Sequence, residues 1–191
     1  ACHQILSLLA LKVGKLPLAA ELMAKAVQFD PEVATYRRNL CEMYRRLGQL
    51  DQAAAQGRRA TELAPEDAED FYYLGVTLDD AKALAGALDA YQQAVSLNPK
   101  HNLSWNNLGS ALGRLGNEAK SLEAYLKAAE INPQHAEAQN NIAAIYLDQG
   151  KLDEARDRLK KSIGAKPDFL EAHQNLSTLI QYTTDNPHYL Y

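Results

Sequence analysis

A proline that returns on a fixed count constrains this chain more than anything else in it. The dipeptides Asp30–Pro31, Ala64–Pro65, Asn98–Pro99, Asn132–Pro133 and Lys166–Pro167 place prolines at 31, 65, 99, 133 and 167, each 34 residues after the last. Five such occurrences without an insertion or deletion define a tandem repeat. A unit this short cannot bury its own apolar face and must stack on its neighbours. The chain's activity is therefore expected in the surface of a stack rather than in a catalytic pocket.

With the proline as thirty-second residue, the units run 1–33 (lacking their first residue), 34–67, 68–101, 102–135 and 136–169. Half a sixth, 170–191, follows. Four columns then fix the packing. The seventh station is always a large aliphatic: Leu6, Leu40, Leu74, Leu108, Ile142 and Leu176. The eighth is always small: Ser7, Cys41, Gly75, Gly109, Ala143 and Ser177. The twentieth and twenty-seventh are Ala or Ser throughout, among them Ala94 and Ala128. Small side chains at fixed stations let two helices approach at the low end of the usual ~8–10 Å spacing.

Gly14, Gly48, Gly116 and Gly150 share the fifteenth station, where a left-handed residue closes a helix. Lys82 stands there in the third unit and is expected to cost about 1 kcal/mol. Asn117 or Pro17 then opens a second helix, and the residue before each repeat proline ends it. Each unit reads as an A helix of about 13 residues, a turn and a B helix of similar length. Ala, Leu, Glu, Gln and Lys dominate and β-branched residues are sparse, so the fold class is all-α.

These columns resemble the tetratricopeptide repeat family over nearly the whole chain. The match is fullest in 102–135, with Trp105, Leu108, Gly109, Tyr125, Ala128 and Pro133 at the signature stations. The resemblance implies an α-solenoid, a right-handed superhelix with A helices lining a concave groove and B helices outside. Gly57 replaces a large residue in the second unit and is expected to leave a packing gap. In the last unit, 170–182 fits an A helix, and Asp185–Asn186–Pro187 reads as the cap and first turn of a truncated B helix. Leu176, Leu179 and Ile180 would then lack cover, and the terminal helices could mediate self-association.

Several function classes lack their signatures. The net charge of −4 gives no reason to expect nucleic acid or an anionic membrane as partner. No apolar run approaches the ~18–20 residues of a membrane span. The apolar start lacks a basic leader and a cleavage site. Beginning in mid-pattern without an initiator Met, the chain is expected to be a piece of something longer. Cys2 and Cys41 are too few for a disulfide framework and lack zinc-site spacing, so a reduced, cytoplasmic setting is expected, with no metal or other cofactor. Gly109, Gly113 and Gly116 have the wrong spacing for a dinucleotide loop. His101 and His135 are repeat echoes rather than ligands, and Asp79–Asp80 and Glu66–Asp67 read as solvated faces or caps.

The sixth station carries the candidate site: Asn39, Tyr73, Asn107, Asn141 and Asn175, after Ile5 in the first unit. An amide both donates and accepts, so it can pair with a peptide group whatever the side chain there. If repeats advance by about 10 Å and an extended peptide by ~3.3 Å per residue, one asparagine per repeat meets every third residue. The ladder resembles that of arrays preceding O-linked N-acetylglucosamine transferases, where such asparagines hold the substrate backbone. Asparagines bonded merely to their neighbours would be the plainer account. The fifth station adds Arg38, Tyr72, Asn106 and Asn140, and further round lie Arg45, Arg46, Asp79, Asp80, Arg114 and Asp148, giving a mixed groove, more basic in the second unit and acidic in the third.

Chaperone-binding relatives carry a Lys/Asn/Asn/Lys/Arg clamp for a C-terminal carboxylate. Here those stations read Arg38, Glu42, Tyr73, Leu103 and Asn107, or Tyr72, Val76, Asn107, Glu137 and Asn141, so that clamp is absent. The sequence predicts a non-catalytic scaffold binding a protein or peptide segment in the groove. The alternative is the substrate-selecting array of a larger glycosyltransferase or sulfotransferase, since the stretch from Glu171 to Pro187 looks like the junction where bacterial arrays pass into such domains.

Overall fold

The periodic prolines and glycines delimit eleven α-helices among residues 2–185, the part of the chain that the computed structural model describes. They fall into two compact units. Unit 1, residues 1–99, holds α1 (Cys2–Lys12), α2 (Leu16–Phe29), α3 (Ala34–Arg46), α4 (Leu50–Leu63), α5 (Ala68–Asp80) and α6 (Leu84–Leu97). Unit 2, residues 100–191, holds α7 (Asn102–Arg114), α8 (Glu118–Ile131), α9 (Ala136–Asp148), α10 (Leu152–Ala165) and α11 (Leu170–Asp185). Odd-numbered helices are the A helices of the repeats and even-numbered ones the B helices. No strand occurs among the described residues.

The turns close as the glycine column requires. In each, the fifteenth-station N–H returns to the carbonyl three residues back and the next N–H to the carbonyl five back, as in Gly116 to Gly113 (2.9 Å) and Asn117 to Leu112 (3.0 Å). Gly116 has φ 78°, and Lys82 adopts φ 62° with the same pair of bonds. Asn117 caps α8 by accepting from the Lys120 N–H, and Pro17 lies in the first turn of α2.

Packing is set by two stations that compensate each other. Adding a Cβ to Gly109 would bring it to 2.7 Å from the Tyr125 ring, and to Gly75 to 2.6 Å from the Tyr91 ring. Where the eighth station is larger, the twenty-fourth is smaller: Ala143 with Leu159, Ser7 with Met23, Cys41 with Gly57. The packing gap expected at Gly57 is therefore absent. Cys41 Sγ and Leu74 Cδ1 lie 3.2 and 3.1 Å from where a Gly57 Cβ would stand, so the neighbours occupy that space. The buried hydroxyls are satisfied across the same contacts, Ser7 donating to the Ala19 carbonyl (2.7 Å) and Ser121 to that of Gly109 (2.7 Å).

The last A helix corrects two expectations. α11 runs through Asp185, three residues past 182; of the cap and first turn expected at Asp185–Asn186–Pro187, Asn186 and Pro187 lie outside the described residues. Leu179 is 1% exposed, covered by Ala143, Leu152, Leu159 and Ala172, and Leu176 is half-buried. Only Ile180 of that trio stays open. α11 extends beyond the repeat's usual A-helix length and folds its leucines onto α9 and α10. At the other end Ile5, Leu9 and Val13 are more than half exposed, on α1 and just past its end.

Candidate functional site

The candidate residues lie on the A helices, and each unit treats them differently. In unit 1, α3 and α5 are joined by ion pairs. Arg38 Nη1 donates to Asp67 Oδ2 (2.8 Å) and Asp70 Oδ1 (2.9 Å). Asp70 is buried, and burial pushes its carboxyl above the ordinary carboxylate range against the pull of Arg38. Further along α3, Arg45 grips Glu42 through Nε (2.8 Å) and Nη2 (2.9 Å) and reaches Asp80 Oδ2 through Nη1 (2.8 Å). The basic character expected of this repeat is thus neutralised by the acidic character of the next. Tyr72 and Tyr73 stand half-buried on α5 in an edge-to-face pair with centroids 5.3 Å apart. Asn39 is half-buried on α3.

In unit 2 the corresponding residues are neutral and bond to one another. Asn141 Nδ2 donates to Asn106 Oδ1 (3.2 Å), and Asn106 Nδ2 donates to Asn107 Oδ1 (3.3 Å). Asn175 Nδ2 donates to Asn140 Oδ1 (3.0 Å). The sixth station of one repeat therefore bonds to the fifth of the repeat before it. Asn106, Asn107, Asn141 and Asn175 are half-buried, whereas Asn140 is 7% exposed and serves mainly as the acceptor that positions Asn175. Bonding to neighbours was the plainer account of the column; that it runs from the sixth station to the fifth of the preceding repeat is what reading each column separately missed.

Beside Asn141 lies a cleft of about 400 Å³ between α7, α8 and α9. Its walls are Ser110, Gly113, Ala144 and Ile145, and Tyr125 stands behind them. The Tyr125 phenol is pushed up by burial, with the Ser110 and Ser121 hydroxyls as hydrogen-bonding neighbours.

His101 and His135 stand just before helices, and only His101 caps one with its side chain. His101 Nδ1 accepts from the Ser104 N–H (3.2 Å) at the head of α7. His135 precedes α9, 8% exposed, with Nε2 3.6 Å from a Glu137 carboxylate oxygen; burial lowers its pKa. Among the described residues no group of three or more His, Cys, Asp or Glu side chains could hold a metal ion, and no helix is long and apolar enough to cross a membrane.

Tetratricopeptide repeat families match residues 6–68, 44–102 and 101–168, and the chain belongs to the tetratricopeptide repeat family. It is 26% identical over 85 residues to the small glutamine-rich tetratricopeptide repeat-containing protein 2 of Mycosarcoma maydis, a match covering 44% of this chain and 24% of that protein. The chain thus spans about a quarter of that relative's length. Among solved structures it is similar to MamA at 26% identity, with TM-score 0.74 over 83% of this chain and 92% of MamA. YrrB, described as a TPR protein with an unusual peptide-binding site, is 24% identical with TM-score 0.71, over 92% of this chain and 90% of YrrB. TTC0263 of Thermus thermophilus is 20% identical with the same TM-score, over 94% of this chain and 97% of that protein. The fold is the α-solenoid of these proteins.

Proposed function

We propose that this chain is a non-catalytic interaction scaffold that binds an extended segment of another protein along its A helices, with the asparagines of unit 2 holding the segment's backbone. The observation that carries this reading is the bonded row Asn141–Asn106–Asn107. A side-chain amide has two N–H donors and a carbonyl that accepts two bonds. The bond from Asn141 to Asn106 uses one donor of Asn141 and fixes the orientation of what remains. A preorganised donor and acceptor lose less rotamer freedom on binding, so more of the contact energy appears as affinity. Bonding between neighbours is equally what the plainer account of the column expects, and a binding measurement separates the two.

The test is the double substitution N107A/N141A. Both side chains are half-buried and neither fills the core, so the melting temperature should fall by only the few degrees that losing the Asn141–Asn106 bond costs, while affinity for a bound peptide falls about tenfold. Titration of a fluorescent peptide selected on the parent chain measures this. Unaltered affinity removes the amide row from the binding face.

A further inference from the structure

Stations nine and twelve of the first A helix, with station nine of the next, distinguish the α3–α5 junction from the α7–α9 junction. In unit 1 they are Glu42, Arg45 and Val76. The junction there is plugged, because Arg45 lies across it from Glu42 to Asp80. In unit 2 the same stations are Ser110, Gly113 and Ala144, all too short to reach across. The cleft beside Asn141 is the space that these small residues leave.

We infer that this cleft is a side-chain pocket that takes one long, uncharged side chain with a hydrogen-bonding tip, of the glutamine or tyrosine kind, from a segment held by the amide row. The inference rests on the proposed peptide-binding role and adds to it the class of residue selected. Its chemistry follows from the lining. Ala144, Ile145 and the bare backbone at Gly113 offer apolar contact to a stem. The Ser110 hydroxyl, the Tyr125 phenol and the Asn141 amide supply uncharged donors and acceptors for a tip. A carboxylate or ammonium would surrender its hydration in a pocket whose only charges, Arg114 and Glu118, are exposed and of opposite sign. A purely aliphatic side chain would make none of the further hydrogen bonds that the Ser110 hydroxyl and the Asn141 amide can add to those they already hold. Glu118 is held at the edge by Gln149, whose Nε2 donates to Oε1 (2.8 Å).

The experiment pans a library of random linear peptides against the immobilised 191-residue chain and measures the selected peptides on three variants. S110E/G113R copies the plug of unit 1. Because a Gly113 Cβ would stand 3.2 Å from Ser121 Oγ, A144V, which copies Val76, is the second plug and leaves that contact alone. N107A/N141A removes the amide row. Selected peptides should share one position held by Gln or Tyr, and both plugs should weaken them about tenfold or more, with the largest loss for peptides carrying that residue. Peptides weakened by N107A/N141A but indifferent to both plugs, or anchored by a charged or aliphatic residue, overturn the pocket while leaving the amide row standing. A library that yields no binder overturns the peptide-binding reading, and the pocket falls with it.

Discussion

Units 1 and 2 carry the same repeat on the same count, yet they join successive A helices by different physics. α3 and α5 are held by two arginines, each placed between carboxylates. α7 and α9 are joined by a side-chain amide bond, and the stations of Arg38, Glu42, Arg45 and Asp70 carry Asn106, Ser110, Gly113 and Ala138 there. An arginine engaged by two carboxylates has its charge already compensated, whereas a bonded amide is neutral and keeps both a donor and an acceptor in reserve. The same register can therefore lock neighbouring repeats or leave a face able to recognise something, and the choice is made by a handful of side chains. The two units should accordingly respond differently to substitutions at equivalent stations.

The largest effect is expected where unit 2 depends on bulk. Tyr125 is 7% exposed, and its ring rests against Gly109, which has no side chain to close the space if the ring is removed. Y125A should cost about 3–5 kcal/mol, the range for emptying a buried aromatic site, read from the urea midpoint. A cost below about 1 kcal/mol would mean that Gly109 and Tyr125 are not a matched pair.

Next comes the charge that unit 1 uses in place of amides. R38A strands Asp70, whose side chain is fully buried, and should cost about 3 kcal/mol at neutral pH. The sign with pH follows from Asp70. Burial already raises its folded-state pKa above the ordinary value, and removing Arg38 raises it further. The folded variant then holds a proton more tightly than the unfolded chain, so the destabilisation relative to the parent shrinks as pH falls from neutral through the raised Asp70 pKa. Urea midpoints of parent and variant at pH 7 and about pH 4.5 measure this. A gap that stays constant or widens on acidification would show that Asp70 is not the group left stranded.

How much of this was readable beforehand depends on whether a feature sits in one column or between two. The prolines, the fifteenth-station residues and the alternation of Leu40 with Cys41 or Leu108 with Gly109 each act locally, so the helices and their closures follow from single columns. The Asn column pointed to the A helices in the same way. Pairings between stations are another matter. Cys41 with Gly57, Arg38 with Asp70 and Asn141 with Asn106 join residues 16, 32 and 35 apart in the chain, the first brought together by A/B packing within a repeat and the other two by stacking of repeats. Gly57 read alone suggests a gap; beside Cys41 it is the smaller half of a filled contact. Asp70 read alone is another charge in an acidic stretch, yet it is buried on the arginine of the preceding repeat.

That compensation gives a third, smaller prediction. G57Y in unit 1 should be destabilising by about 1–3 kcal/mol, because Cys41 and Leu74 already occupy the volume. C41G/G57Y recreates the pairing of Gly109 with Tyr125 and should recover part of that loss, leaving only the adjustment of Leu74. The coupling is read from a double-mutant cycle by urea denaturation. Simple additivity of the two substitutions would break the idea that stations eight and twenty-four are chosen together.

The smallest effect tests the turns, where the units differ by one residue. Gly48 in unit 1 and Gly116 in unit 2 take positive φ at no steric cost, while Lys82 takes φ 62° with a Cβ in place. Its N–H still bonds to the Asp79 carbonyl (2.9 Å) and that of Ala83 to Leu78 (2.8 Å), so the closure is intact and the left-handed backbone is where the cost falls. K82G should therefore stabilise unit 1 by about 1 kcal/mol, and G116K should destabilise unit 2 by about as much. The unfolded chain opposes both changes, gaining freedom in K82G and losing it in G116K, so each figure is an upper bound. Equal and opposite shifts in the urea midpoints would mean that the turn backbone alone sets the difference. A K82G variant less stable than the parent would mean instead that the exposed lysine stem contributes more by packing along the turn than its left-handed backbone costs.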